Sequence, residues 1–137
     1  MVDYKIGFTC GAFDLLHAGH VAMLRECKEK VDWLIVGLHT DPTIDRPKDK
    51  NKPIQSVYER FLQLSGCRYV DAVVPYDTEH DLINILSIEP ITHRFVGIEY
   101  KGTKITGKAI CDVRGIETIY NTRYHDYSSS ELRGRLK

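Results

Sequence analysis

Neither sign of charge is in excess in this chain: nineteen lysines and arginines are balanced by nineteen aspartates and glutamates over 137 residues. A neutral balance gives no long-range field to hold nucleic acid or an anionic bilayer, so neither is expected as a partner. No apolar run approaches the ~20 residues that cross a membrane. The N-terminal residues also lack the cationic stretch, apolar core and cleavage site of a secretion signal. Cys10, Cys27, Cys67 and Cys111 show no C-x-x-C spacing, which signals neither a zinc site nor a disulfide framework. A reduced, cytoplasmic setting is the expectation. Repeats and low-complexity segments are absent as well, and the length suits one domain, 1–137, with a single core.

What is present is an alternation of strand and helix signals. Residues 4–10 form an apolar strand-like run, and residues 18–30 carry Val21, Leu24 and Cys27 at helical spacing, with Asp14 as a nearby N-cap candidate. Residues 33–39 are almost continuously apolar, as expected of a parallel strand covered on both faces; Trp33 is expected in the core. The polar stretch 40–53, with Pro42, Pro47, Pro53, Lys48, Lys50 and Lys52, reads as a mobile loop. Helical segments follow at 55–66, 81–88, 108–114 and 129–136, the last capped by Ser128 or Ser129. Strands are expected at 70–75, 94–98 and 117–120, with a loop over 99–107. This order predicts an α/β fold, a Rossmann-like open parallel sheet with helices on both faces and ligands at the carboxyl ends of the strands.

The densest chemistry lies in Gly11-Ala12-Phe13-Asp14-Leu15-Leu16-His17-Ala18-Gly19-His20, between the first strand and the first helix. The first N–H groups of a helix have no intrahelical partner, and its dipole is positive there, so phosphates can be held at that point. Imidazoles three residues apart share one face of the first turn and can donate to the same anion. A second block, Arg123-Tyr124-His125-Asp126-Tyr127-Ser128-Ser129-Ser130-Glu131-Leu132-Arg133, puts hydroxyls and a fixed cation at the start of the last helix.

These two blocks resemble the paired signatures of the cytidylyltransferase-like nucleotidyltransferases. Tyr58-Glu59-Arg60 with Arg68-Tyr69-Val70-Asp71 resembles a paired-arginine pattern of the glycerol-3-phosphate cytidylyltransferases. The resemblance implies formation of CDP-glycerol and pyrophosphate from CTP and glycerol 3-phosphate, with Mg²⁺ accompanying CTP, in a homodimer. It implies a catalytic set of His17, His20, Lys48 or Lys50, and Arg123. Nucleotide contacts would come from Thr9, Cys10, Gly11, Ala12, Phe13, Gly19, Glu99, Ser128, Ser129 and Ser130, and acceptor contacts from Asp14, Arg60 and Arg68. A helix arginine that only caps its surroundings would give the same pattern at Arg60. Two departures stand out: Ala12 occupies a position often held by Thr or Cys, and Glu99 one where many relatives carry Asp. Of the remaining histidines, His39, His80, His93 and His125, His39 at a strand end comes closest to the site. Sibling reactions, with another base or with a sugar phosphate, phosphoethanolamine or phosphocholine as acceptor, and a nucleotide sensor without turnover, fit the same signatures.

Overall fold

Hydrogen-bonding requirements and apolar patterning resolve this chain into five parallel strands and four helices in the computed structural model, which describes residues 3–122 and 134–136. In chain order they are β1 (Ile6–Gly11), α1 (Ala18–Lys28), β2 (Trp33–His39), α2 (Val57–Ser65), β3 (Ala72–Tyr76), α3 (Glu79–Ile88), β4 (His93–Gly97), a 3₁₀ turn (Ile98–Tyr100), α4 (Lys108–Arg114) and β5 (Glu117–Asn121). The strands form one sheet in the order β3-β2-β1-β4-β5. The expected α/β architecture is therefore found, with the change of winding direction between β1 and β4.

Alternation along the strands divides the core into two layers. Phe8 and Ile35 pack with Leu82, Leu86 and Cys111 of α3 and α4 on one face. Leu34, Val36, Leu38 and Phe95 pack with Leu24, Cys27 and Leu64 of α1 and α2 on the other. Gly37 admits the Phe8 ring, since a Cβ there would lie 2.7 Å from Phe8 Cζ. Trp33 departs from expectation: as the first residue of β2, at the sheet end away from the cleft, it is 41% exposed.

Register explains where the sheet opens. β1 is paired with β2 along its whole length, from Ile6 with Trp33 to Gly11 with Leu38. With β4 it pairs only through Gly7 with His93 and Phe8 with Arg94. Beyond Phe8 the two strands part, and a crevice forms at their carboxyl ends.

Side-chain hydrogen bonds set several boundaries that apolar patterning did not. Ser56 and Glu59 form a reciprocal cap on α2, and Thr78 and Asp81 form one on α3, starting that helix at Glu79 rather than 81. The third strand starts at Ala72 because Val70 N–H donates to Cys67 in a turn, while the Asp71 carboxylate accepts from Leu34 N–H. Asp14 does not cap α1. Its two carboxylate oxygens accept from Ile54 N–H (2.8 Å) and Gln55 N–H (2.9 Å), tying the β1–α1 loop to the entry of α2.

Arg60 also differs from its expected role. It is 2% exposed, and its guanidinium donates to the carbonyls of Gln55, Ser56, Ala12, His39 and Thr40. A rigid five-donor fork suits such a cluster; a lysine ammonium, with three donors at one point, does not. This makes Arg60 a structural clamp. Replacing it by Met, of similar volume but without donors, should lower unfolding free energy by about 3 kcal/mol, because several buried carbonyls lose their partners together. Urea denaturation measures this, and a loss below about 0.5 kcal/mol, the usual surface value, would contradict the clamp.

Candidate functional site

The last residue of every strand, Gly11, His39, Tyr76, Gly97 and Asn121, borders one cleft of about 590 Å³ at the carboxyl edge of the sheet. Its floor is the end of β1 and the loop after it, Thr9 to Asp14, with His20 and Met23 contributed by α1. The loop is held against local preference. Phe13 and Leu15 have φ of 51° and 53°, a left-handed conformation that costs a side-chain-bearing residue about 1–2 kcal/mol. Asp14, Arg60 and a bond from Leu15 N–H to Gln55 Oε1 (2.8 Å) hold it there.

At the end of that loop, the histidines themselves form the reciprocal cap of α1. His17 Nδ1 accepts from Gly19 N–H at 3.0 Å, and His20 Nδ1 accepts from His17 N–H at 3.2 Å, with the rings stacked at 3.8 Å between centroids. A backbone N–H can only donate, so Nδ1 is the acceptor in each ring and the neutral form carries its hydrogen on Nε2. Burial, and then the neighbouring His17, push His20 down to about 4 against an upward pull from Asp14. At neutral pH His20 is thus an uncharged Nε2–H donor, fixed by its own capping bond.

The opposite wall carries other chemistry. Tyr76 stacks on His39 at 4.7 Å. Burial, and then the neighbouring Cys10 by charge and by hydrogen bond, push the Tyr76 phenol above its ordinary range. Burial lowers His39, whose Nε2 pairs with the Asp77 carbonyl at 3.2 Å. Glu79 is ion-paired with Arg46 and accepts from the Thr106 hydroxyl, and the buried Arg94 donates to the Thr106 carbonyl.

The structure brings Thr9, Cys10, Gly11, Ala12, Phe13, Asp14, His20, Lys50 and Glu99 to the cleft. It separates the two candidate lysines, because Lys50 borders the cleft and Lys48 does not. His17 and the buried Gly19 stand just behind, at the helix start. Arg68 is placed elsewhere. It lies over the Tyr69 ring, 5.7 Å from its centroid, beside a separate hollow that includes Leu16, Val21 and Leu62, so it is not brought to the cleft. Arg60 does not border the cleft, its donors being committed to carbonyls. Arg123, Ser128, Ser129 and Ser130, and most of the last expected helix, lie outside the described residues. Sequence reasoning missed Tyr76, Glu79, Arg94 and Asn121. The available signal was position, since three of them end a strand or open the following helix at the sheet's carboxyl edge.

Among the described residues, no group of three or more His, Cys, Asp or Glu is placed to hold a metal ion, and no helix is long and apolar enough to cross a membrane.

His20 links stability to pH. Unfolding returns it to about 6.5, so between pH 6.5 and 4 the unfolded chain binds the extra proton. Stability contributed by the neutral ring is complete above pH 6.5 and is lost as pH falls towards 4. From pH 7 to 4, wild type should lose about 3 kcal/mol more unfolding free energy than His20→Asn, whose amide oxygen caps without titrating. Matching losses in urea denaturation would contradict this.

Comparison with known proteins identifies relatives of this chain and of its fold. Residues 8–135 match the family described as Cytidylyltransferase-like. The chain is 40% identical over 94 residues to ethanolamine-phosphate cytidylyltransferase of Arabidopsis thaliana, covering 66% of this chain and 22% of that protein. It is 45% identical over 116 residues to the bifunctional protein HldE of Wolinella succinogenes, covering 84% of this chain and 24% of that one. The chain thus spans about a quarter of the length of these curated relatives. Its fold matches the crystal structure of a lipopolysaccharide core biosynthesis protein from Thermoplasma volcanium with a TM-score of 0.70 at 22% identity, over 90% of this chain and 100% of that one. With the match extending from β1 past β5, the chain belongs to the Cytidylyltransferase-like family.

Proposed function

We propose that the chain transfers the cytidylyl group of CTP to a small phosphorylated acceptor, with glycerol 3-phosphate the preferred one. The observation that carries this is the histidine cap at the start of α1. Its Nδ1 atoms accept from backbone N–H groups, which puts the hydrogen of each neutral ring on Nε2, beside a helix N-terminus at the sheet's switch point.

In the reaction, an acceptor phosphate oxygen forms a bond to the α-phosphorus of CTP. The bond from that phosphorus to the β-bridging oxygen breaks, and its electron pair leaves with pyrophosphate. The attacking group is already an anion, so no residue need remove a proton and no protein nucleophile is required. The work is positioning and charge stabilisation. His17 and His20 would donate to the α- and β-phosphates, and Lys50, from the 40–53 loop, would meet the charge spreading over them. Arg123 and Ser128 to Ser130 would hold the outer phosphates. Mg²⁺, bound mainly by the triphosphate, would neutralise part of its charge. The donors nearest that position are imidazoles, amides and a lysine, and the Asp14 carboxylate is committed to Ile54 and Gln55. Such a set fits an ion that arrives with its nucleotide.

Glycerol 3-phosphate rests on the family resemblance, since Arg60 and Arg68, whose spacing suggested it, do not meet the cleft. Phosphoethanolamine is the second reading. It is favoured by the Arabidopsis thaliana relative and by the Glu79 carboxylate in the cleft wall, a partner for an ammonium group. A homodimer and a cytoplasmic location complete the proposal from the same resemblance and from the neutral composition.

The test is pyrophosphate release from CTP and ATP with glycerol 3-phosphate, phosphoethanolamine, phosphocholine and sugar phosphates. The highest kcat/KM is expected for CTP with glycerol 3-phosphate. Faster turnover of phosphoethanolamine would select the second reading, and no turnover with any pair would reject transferase activity. His17→Ala and His20→Ala should each lose at least about 10²-fold in kcat, the scale for removing one transition-state donor. Near-wild-type turnover in either folded variant would remove the histidines from the reaction.

A further inference from the structure

Asn121, the last residue of β5, is 5% exposed and borders the cleft. Its Nδ2 donates to Cys27 Sγ at 3.3 Å, while Oδ1 has no hydrogen-bond partner among the described residues. The amide orientation follows from the sulfur chain behind it. Cys27 Sγ donates its single hydrogen to Met23 Sδ at 3.6 Å, so towards Asn121 the thiol can only accept. Burial, the largest influence on Cys27, keeps that thiol protonated by raising it to about 12. With that hydrogen on Met23, Nδ2 faces Cys27 and Oδ1 is the atom left over. A buried carbonyl without a donor costs about 1–3 kcal/mol, which a ligand N–H at this position would recover.

The surroundings favour a donor-bearing ligand. Gly97, the register partner of Asn121, has no side chain, and the Glu99 carboxylate folds over it, 2.6 Å from where a Cβ would stand. The Glu99 carboxylate therefore lies over the register partner of Asn121, and both residues line the cleft as oxygen acceptors, opposite in character to the imidazole donors at the start of α1. A nucleotide whose phosphates lie at α1 can direct its base to these acceptors.

We infer that Asn121 Oδ1 accepts a hydrogen bond from the exocyclic amine of the nucleotide base, making Asn121 a specificity residue for amino over keto bases. The inference rests on the proposed nucleotide site and adds the group that reads the base. Cytosine presents N–H₂ where uracil presents a carbonyl, so uracil would set acceptor against acceptor. A base with neither group would leave Oδ1 unpaired without that repulsion.

Calorimetric titration of the whole chain, with Mg²⁺ and no acceptor, separates these cases without turnover. Wild type should bind CTP most tightly, the triphosphate of the pyrimidin-2-one ribonucleoside less tightly, and UTP at least about 10-fold more weakly than CTP, the scale for an unpaired or opposed buried polar group. In Asn121→Leu, CTP and UTP should converge to within about 3-fold, and the nucleotide-free variant should unfold at no lower urea concentration than wild type, since it loses an unpaired acceptor. Equal affinity of wild type for the three nucleotides, or an unchanged CTP to UTP ratio in the variant, overturns the inference and leaves nucleotidyl transfer standing. A variant that fails to fold also counts against it, because Oδ1 would then be holding the protein itself. Failure of wild type to bind any of the three overturns both.

Discussion

One buried guanidinium holds the functional end of this molecule together. Arg60 reaches from α2 to Ala12 in the β1–α1 loop and to His39 and Thr40 at the end of β2, drawing three separate segments to a common point. Burial works against its charge and lowers its pKa, with Asp14 and Asp41 pulling the other way. The cost of burying it is offset only because nearly every N–H finds an oxygen. Around this clamp the loop can keep left-handed conformations at Phe13 and Leu15 that neither residue would adopt alone. That loop delivers the chain to α1 with His17 at its cap. The phosphate end of the cleft is thus a consequence of packing beneath it.

The cap then joins structure to chemistry. A serine or aspartate would satisfy the first amides of α1 equally well. Histidine satisfies them with one ring nitrogen and, when neutral, carries its hydrogen on the other. The same bonds that begin the helix therefore set the tautomer, and the burial that depresses His20 keeps it uncharged. Elsewhere in the lining of the cleft, Asn121 and Glu99 supply acceptors. A bound molecule with anionic oxygens at one end and an amine at the other would match this polarity.

Much of this was legible from residue patterns, and the failures have physical causes. Parallel strands announce themselves by continuous apolar runs, and residues 33–39 were placed to the residue because β2 is covered on both faces. The histidine pair was legible because its spacing matches one helical turn. Arg60 was not, because an arginine that contacts a substrate and one that satisfies five carbonyls have the same sequence context; only the three-dimensional convergence of Ala12, His39 and Thr40 separates them. Asp14 misled for a related reason: its partners, Ile54 and Gln55, are forty residues away. Asn121 and Tyr76 carry no motif, and their meaning comes from ending the two opposite edge strands of one sheet at its carboxyl side. Trp33 shows the opposite error, where an aromatic residue opening an apolar run was taken for core although strand ends reach solvent.

The central claim is that this cleft positions two anions for direct displacement at phosphorus, with imidazole donors rather than a protein nucleophile. Stereochemistry tests it most directly. CTP made chiral at the α-phosphorus by sulfur substitution should give product with inverted configuration, the result of a single in-line attack by the acceptor. Retention would require two successive displacements through a residue of the chain, and would contradict the account.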